Sequence, residues 1–148
     1  MYGRILVPVD GSACAAQALA QAIALARLTQ GRIRLVHVID EPMVAIGVDA
    51  ALGASGDLVS IVREAAQRVV ADARATVMAA GIPVDDVMLD TFDGRVCDLV
   101  AAAAGQWPAD LLVIGTHGRR GVDRFLLGSD AEQILRLSPV PVLLVRSP

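Results

Sequence analysis

Five short apolar runs divide this chain: Ile5–Val9, Arg32–Ile39, Val84–Leu89, Leu111–Ile114 and Val140–Val145. Short runs rich in Val, Ile and Leu are what strands buried on both faces look like. The segments between them carry a helical period instead. Ala15, Ala18, Leu19, Ala22, Ile23 and Ala26 recur at helical spacing, and Gly31 is expected to cap that helix at its C-terminus. A second helix is predicted from Asp57 to about Ala80, stopped by Gly81, with Leu58, Val62, Ala65, Val69, Ala73 and Val77 turned inward. A third covers roughly 94–104, with Val96, Leu99, Val100 and Ala103 inward, and a fourth covers Ser129 to Leu137. Strands alternating with helices fold as one three-layer α/β/α unit around a parallel sheet with right-handed crossovers, here one domain over residues 1–148. Only residues 43–56, which carry three glycines and no period, fall outside that pattern and read as a flexible connection.

The chain is 55% apolar, with a mean hydropathy of +0.57, so a membrane location has to be weighed. No uncharged apolar run reaches the ~18 residues that cross a bilayer, and the residues Met1–Arg4 lack the layout of a signal peptide. The expectation is a soluble, cytoplasmic protein that does not engage membranes. A net charge of −3 without a basic block argues against nucleic acid as a partner. Cys14 and Cys97 have no metal-ligand spacing around them and read as small core residues.

All 13 basic residues are arginines. Without a lysine, a Walker-type phosphate loop and Schiff-base chemistry are both excluded. Any phosphate must be held by backbone N–H groups, hydroxyls and guanidinium groups. The stretch Gly115–Ser129 suits that task. It follows a buried strand, is rich in glycine, and ends at Ser129 with Glu132 three residues later, a spacing that predicts a capping box at a helix start. The alternative reading is a plain solvated connection. In a parallel sheet, ligands bind beyond the carboxyl ends of the strands where the strand order reverses. The segments to search are therefore Pro8–Ser12, His37–Glu41 and the glycine stretch.

Taken together, Ile5-Leu-Val-Pro-Val-Asp-Gly-Ser12, Leu35-Val-His-Val-Ile-Asp40, the pattern G-x2-G-x9-G-S at Gly115, Gly118, Gly128 and Ser129, and the ending Pro139–Arg146 resemble the universal stress proteins of the nucleotide-binding kind, over essentially the whole chain. The resemblance implies a Rossmann-like sheet ordered 3-2-1-4-5, with ATP, and with it Mg2+, between the loops after the first and fourth strands. Asp10 would meet the ribose or adenine side, Val38 would offer its backbone to the adenine edge, and Pro8 and Val9 would wall the base. Gly115, Gly118, Gly128 and the Ser129 hydroxyl would surround the phosphates; Thr116, His117 and Arg119 lie in the same stretch and are candidates for phosphate contact by position. Asp130 departs from the usual pattern by placing a carboxylate beside that tail, where it would complement the helix dipole, coordinate Mg2+ or repel phosphate. The family further implies a stress-response role through an unidentified protein partner, and a homodimer paired through the last strand, Val142, Leu143, Leu144 and Val145.

Several of these residues also have purely structural readings. Asp10 is a candidate N-cap for the first helix, His117 and Arg119 suit a solvated loop, and His37 suits a hydrogen-bonded core position. No triad order or positioned base points to catalysis. The competing class, an enzyme that cleaves ATP or adenylates a substrate as adenine nucleotide α-hydrolases do, places an S-G-G-x-D-S loop after the first strand. This chain has Asp10-Gly-Ser-Ala-Cys-Ala15 there.

Overall fold

A computed structural model describes residues 1–40, 57–91, 94–117 and 127–146. The expected alternation is present: β1 (Arg4–Pro8), α1 (Ala13–Thr29), β2 (Arg32–Ile39), α2 (Asp57–Ala79), β3 (Val84–Asp90), α3 (Val96–Gln106), β4 (Leu111–Gly115), α4 (Ser129–Leu137) and β5 (Val142–Val145). The five strands form one parallel sheet in the order β3-β2-β1-β4-β5. β1 is therefore central, and the order reverses between β1 and β4. Pro8 is tolerated in a central strand because it is the last residue of β1, where the ladder ends.

Each strand of the sheet's centre sends alternate residues to two cores. Ile5, Val7, Ile33, Leu35, Leu111 and Val113 pack with the small-residue face of α1 and with Ala73 and Val77 of α2. Leu6, Val36, Leu112 and Ile114 pack on the other side with Cys97, Val100 and Ala104 of α3 and Ala131 and Ile134 of α4. Strands covered on both faces lose the alternation of polar and apolar residues, which is why their runs are continuous in the sequence.

Several local expectations give way to longer-range demands. Gly31 does not take the left-handed position after α1; Gln30 does, at φ 52°, and its N–H donates to the Ala26 carbonyl. Left-handed backbone costs a non-glycine residue roughly 1–2 kcal/mol. Gly31 is needed for a different reason: a Cβ there would lie 2.9 Å from the Gly3 carbonyl oxygen and 2.9 Å from Thr29 Oγ1. The capping box is also absent. Gly128 is the N-cap of α4, Ser129 is its first helical residue, and no side-chain cap bond forms. The main chain sets that boundary, since the Gly128 N–H donates to the Thr116 carbonyl at 2.8 Å and its own carbonyl accepts from the Glu132 N–H. Glu132 turns instead to Arg136, 2.6 Å away.

On α2 the buried stripe runs through Ala66, Val70, Ala73 and Val77, with Val62 and Val69 half-buried, so Ala65 faces solvent. α3 begins two residues later than expected and buries Cys97, Val100, Ala101 and Ala104; Val96, Leu99 and Ala103 are only half-buried. The predicted connection at 43–56 lies outside the described residues. No described helix is long and apolar enough to cross a membrane.

β3 and β5 are the edges of the sheet. The Leu112 N–H donates to the Pro141 carbonyl and the Thr116 N–H to the Val145 carbonyl. Pro141, Leu143 and Val145 therefore face β4, and the main-chain groups of Val142 and Leu144 face outward. Pro141 accordingly removes a donor from the inner side and does nothing to guard the outer edge.

Candidate functional site

The predicted site residues that the structure describes gather at the carboxyl ends of the three central strands. β1 ends at Pro8, and Val9 is buried beneath the crevice. Asp10 follows, half-buried. Its Oδ1 accepts from the Ser12 N–H at 2.9 Å, and the Ser12 hydroxyl then accepts from the Ala15 N–H at 3.1 Å. Ser12, not Asp10, is thus the N-cap of α1. Asp10 fixes the turn that leads to the cap. Gly11 bridges the two at φ +79°, and a Cβ there would stand 3.1 Å from Val69 of α2.

On the β4 side, Thr116 is a knot. It is buried, its N–H reaches the Val145 carbonyl at 2.9 Å, and its own carbonyl accepts from the Gly128 N–H. Both ends of the glycine stretch are therefore pinned to one residue. Thr116 Oγ1 lies 3.0 Å from His117 Nδ1, and His117 Nε2 is buried with no hydrogen-bond partner among the described residues. Ser129 and Asp130 are both exposed in the first turn of α4, and its N-cap, Gly128, supplies no side-chain oxygen to the N–H groups of that turn. Gly118 and Arg119, along with Arg120 and Arg124, lie outside the described residues.

Gly115 and Gly128 have structural duties. A Cβ on Gly115 would lie 2.7 Å from Cys14 Sγ and 3.0 Å from the Cys14 carbonyl carbon and oxygen. Gly115 therefore lets the start of α1 pack against the end of β4. A Cβ on Gly128 would lie 3.1 Å from the Thr116 carbonyl oxygen. Cys14 is buried in that contact, with Sγ donating to the Val145 carbonyl at 3.4 Å.

On β2, Val38 stands beside the vacant end of β1. The Val9 N–H donates to the Val36 carbonyl at 2.8 Å, and the ladder stops at Pro8 opposite Val36. The Val9 carbonyl turns away to the buried His37, whose Nδ1 lies 2.7 Å from it. A carbonyl only accepts, so Nδ1 carries the proton. The core reading of His37 agrees with this bond; its consequence for the ladder needs the register, which no local signal in the sequence provides.

Across the top of the second core, Gln133 Oε1 accepts from Arg95 Nη1 at 3.2 Å and from Cys97 Sγ at 3.4 Å, tying α3 to α4. Arg95 also grips Asp98 with two hydrogen bonds, and that exposed carboxyl is held below the usual carboxylate range chiefly by them. Among the described residues no group of three or more His, Cys, Asp or Glu is placed to hold a metal ion.

A doubly wound parallel sheet with a crevice at its reversal point, glycine-bounded on one side and carboxylate-bearing on the other, defines the class. The chain belongs to the universal stress protein family, whose profile matches residues 1–146. A universal stress protein of Thermus aquaticus is 36% identical over 153 residues, spanning 99% of this chain and 100% of the relative. The solved structure of MJ0577, a universal stress protein of Methanocaldococcus jannaschii, superposes with a TM-score of 0.85 at 27% identity and covers 100% of this chain and 98% of its own. Two further structures share the fold. One is a universal stress protein in complex with cAMP, with TM-score 0.68, 22% identity, and coverage of 98% and 97% of the two chains. The other, from Archaeoglobus fulgidus, is in complex with dAMP, with TM-score 0.70, 21% identity, and coverage of 97% and 98%.

Proposed function

We propose that this chain binds an adenine nucleotide, ATP, in the crevice between the ends of β1 and β4, and acts as a cytoplasmic stress-response module that signals through a protein partner. The observation that carries this reading is the ring closed by the Gly128 N–H on the Thr116 carbonyl, which sets the uncapped start of α4 at the carboxyl end of β4, the strand that pairs with β1. Donors without a side-chain acceptor at a helix N-terminus suit phosphate oxygens. The nucleotides held by the two related structures support the adenine part.

In this reading Asp10 meets the ribose, Pro8 and Val9 wall the base, and Val38 meets its edge. The phosphates lie along Gly115, Thr116, His117, Gly118, Arg119, Gly128 and Ser129. Mg2+ would arrive with the triphosphate and take most of its ligands from phosphate oxygens and water, with Asp130 at the start of α4 as a candidate carboxylate. The adenylating alternative gains no support after β1, where an Asx turn at Asp10 runs straight into the Ser12 cap.

Denaturing the purified protein and identifying the released nucleotide by mass spectrometry, followed by calorimetry with ATP, ADP and AMP, tests the assignment. Bound ATP is the expected result. Absence of binding to all three nucleotides at millimolar concentration would refute it, and release of AMP with pyrophosphate would move the protein to the enzyme class.

The homodimer is proposed on the outer edge of β5, where Leu143 is exposed and the main-chain groups of Val142 and Leu144 point away from the sheet. Antiparallel pairing of two such edges closes a two-fold dimer without leaving a free strand. Light scattering behind size exclusion should return twice the chain mass at micromolar concentration, and a monomer there would remove the proposal.

A further inference from the structure

We infer that His37 is the positioning residue for base recognition: its imidazole draws the Val9 carbonyl out of the β1–β2 ladder and so leaves the main chain of Val38 to read the edge of the adenine. The inference rests on the nucleotide assignment above and adds to it which residue creates the base-reading slot.

In the parallel ladder the residues of β2 alternate between their two neighbours. The Ile33 N–H donates to the Pro83 carbonyl, so odd-numbered residues face β3, and the Val36 carbonyl accepts from the Val9 N–H, so even-numbered ones face β1. Continued by one step, the ladder would join the Val38 N–H to the Val9 carbonyl. That bond is not formed. The Val9 carbonyl lies 2.7 Å from His37 Nδ1 instead, and His37 is only 5% exposed, so water does not compete for it.

The N–H and C=O of Val38 therefore point into the crevice past the end of β1, with no hydrogen bond to β1 among the described residues. A donor and an acceptor side by side match the edge of adenine, which presents an acceptor ring nitrogen next to an amino donor. Guanine presents a carbonyl and a ring N–H there, so each group would meet its like. Unpaired buried polar groups are strongly disfavoured, and this makes such a slot selective. Val38 is half-buried against the second core, which keeps its backbone rigid while its edge remains open.

The test measures ATP and GTP affinity by calorimetry, with thermal unfolding alongside, for the wild-type protein, His37→Leu and His37→Asn. Asn can place an amide N–H where Nδ1 stands. The wild-type protein should prefer ATP, His37→Leu should lose about tenfold of that preference, and His37→Asn should recover most of it. If His37→Leu weakens ATP and GTP by the same factor, or leaves the preference intact, the residue does not position the base reader and the inference fails.

Amide hydrogen exchange on the wild-type protein gives a second readout that needs no variant. The Val38 N–H should exchange readily without ligand and become protected when ATP is added, while the Val36 N–H stays protected throughout. Protection of Val38 without ligand would overturn the inference. A wild-type protein that binds neither nucleotide would instead refute the functional assignment itself.

Discussion

The two ends of the sheet are built on opposite rules. At the amino ends of the strands, charges are matched to one another. Arg34 grips Asp85 with Nε and Nη2 at 2.7 Å each while its guanidinium lies 4.8 Å from the centre of the Trp107 ring. Arg32 approaches the same carboxylate, Arg74 pairs with Asp86, and Arg4 pairs with Asp110, whose Oδ2 also accepts the Arg4 main-chain N–H. At the carboxyl ends, polar groups are left over among the described residues: the Val38 main chain has no bond to β1, His117 Nε2 is buried without a partner, and α4 starts without a side-chain cap. One end is satisfied internally and stabilises the fold. The other leaves part of its hydrogen-bonding capacity unpaired among the described residues.

Replacing Gly115 with Val should break this division most severely, because Gly115 sits at the carboxyl end of β4 but serves packing. Its side chain would collide with Cys14, and overpacking of this kind costs roughly 1–3 kcal/mol, or about 2–12 °C in melting temperature for a chain of this size. Thermal unfolding without nucleotide checks it; an unchanged melting temperature would mean that α1 and β4 are not closely packed there.

Ser129→Glu should do the reverse. A carboxylate in the first turn of α4 complements the helix dipole, so the melting temperature should hold or rise slightly. ATP affinity in calorimetry should drop about tenfold through repulsion of the phosphates. Equal affinity would place the phosphates elsewhere.

The smallest effect belongs to the matched end. Asp85→Asn should destabilise by about 1 kcal/mol, since the fork on Arg34 is partly exposed to solvent, and should leave ATP affinity alone. Hydrogen bonding from Arg34 holds the Asp85 carboxyl below its ordinary value, against an opposing contribution from partial burial. Its folded pKa is thus lower than the ~3.9 of the unfolded chain. The stabilisation is complete above that value and fades as the pH falls through the folded one. Denaturation curves of the two proteins should converge in acid; a gap that persists at pH 2 would assign the loss to packing.

Much of this was legible in the sequence because the signals are local. Continuous apolar runs gave the strands, and the small-residue period of α1 gave its buried face, down to Ala15, Ala18, Leu19, Ala22, Ile23 and Ala26. The strand order followed from resemblance to a family and not from any period. What could not be read were contacts between distant residues. Gln30 takes the left-handed position because Gly31 is held against the Gly3 carbonyl, 28 positions earlier and just before β1. Ser129 loses its expected cap because Thr116 fixes the position of Gly128. The site was legible as a set of residue types at strand ends, but the part played by His37 depends on where β1 stops relative to β2, and that is a matter of register.

The contact between Gly115 and Cys14 also has a genetic consequence. The 2.7 Å approach to Sγ could be relieved by a smaller residue at position 14, but the two 3.0 Å approaches are to the carbonyl carbon and oxygen of that residue, which every amino acid carries. Second-site suppression of a Gly115 substitution is therefore closed at its nearest neighbour. A smaller residue at position 14 would give up the Sγ contact with the Val145 carbonyl and still leave the main-chain approach in place.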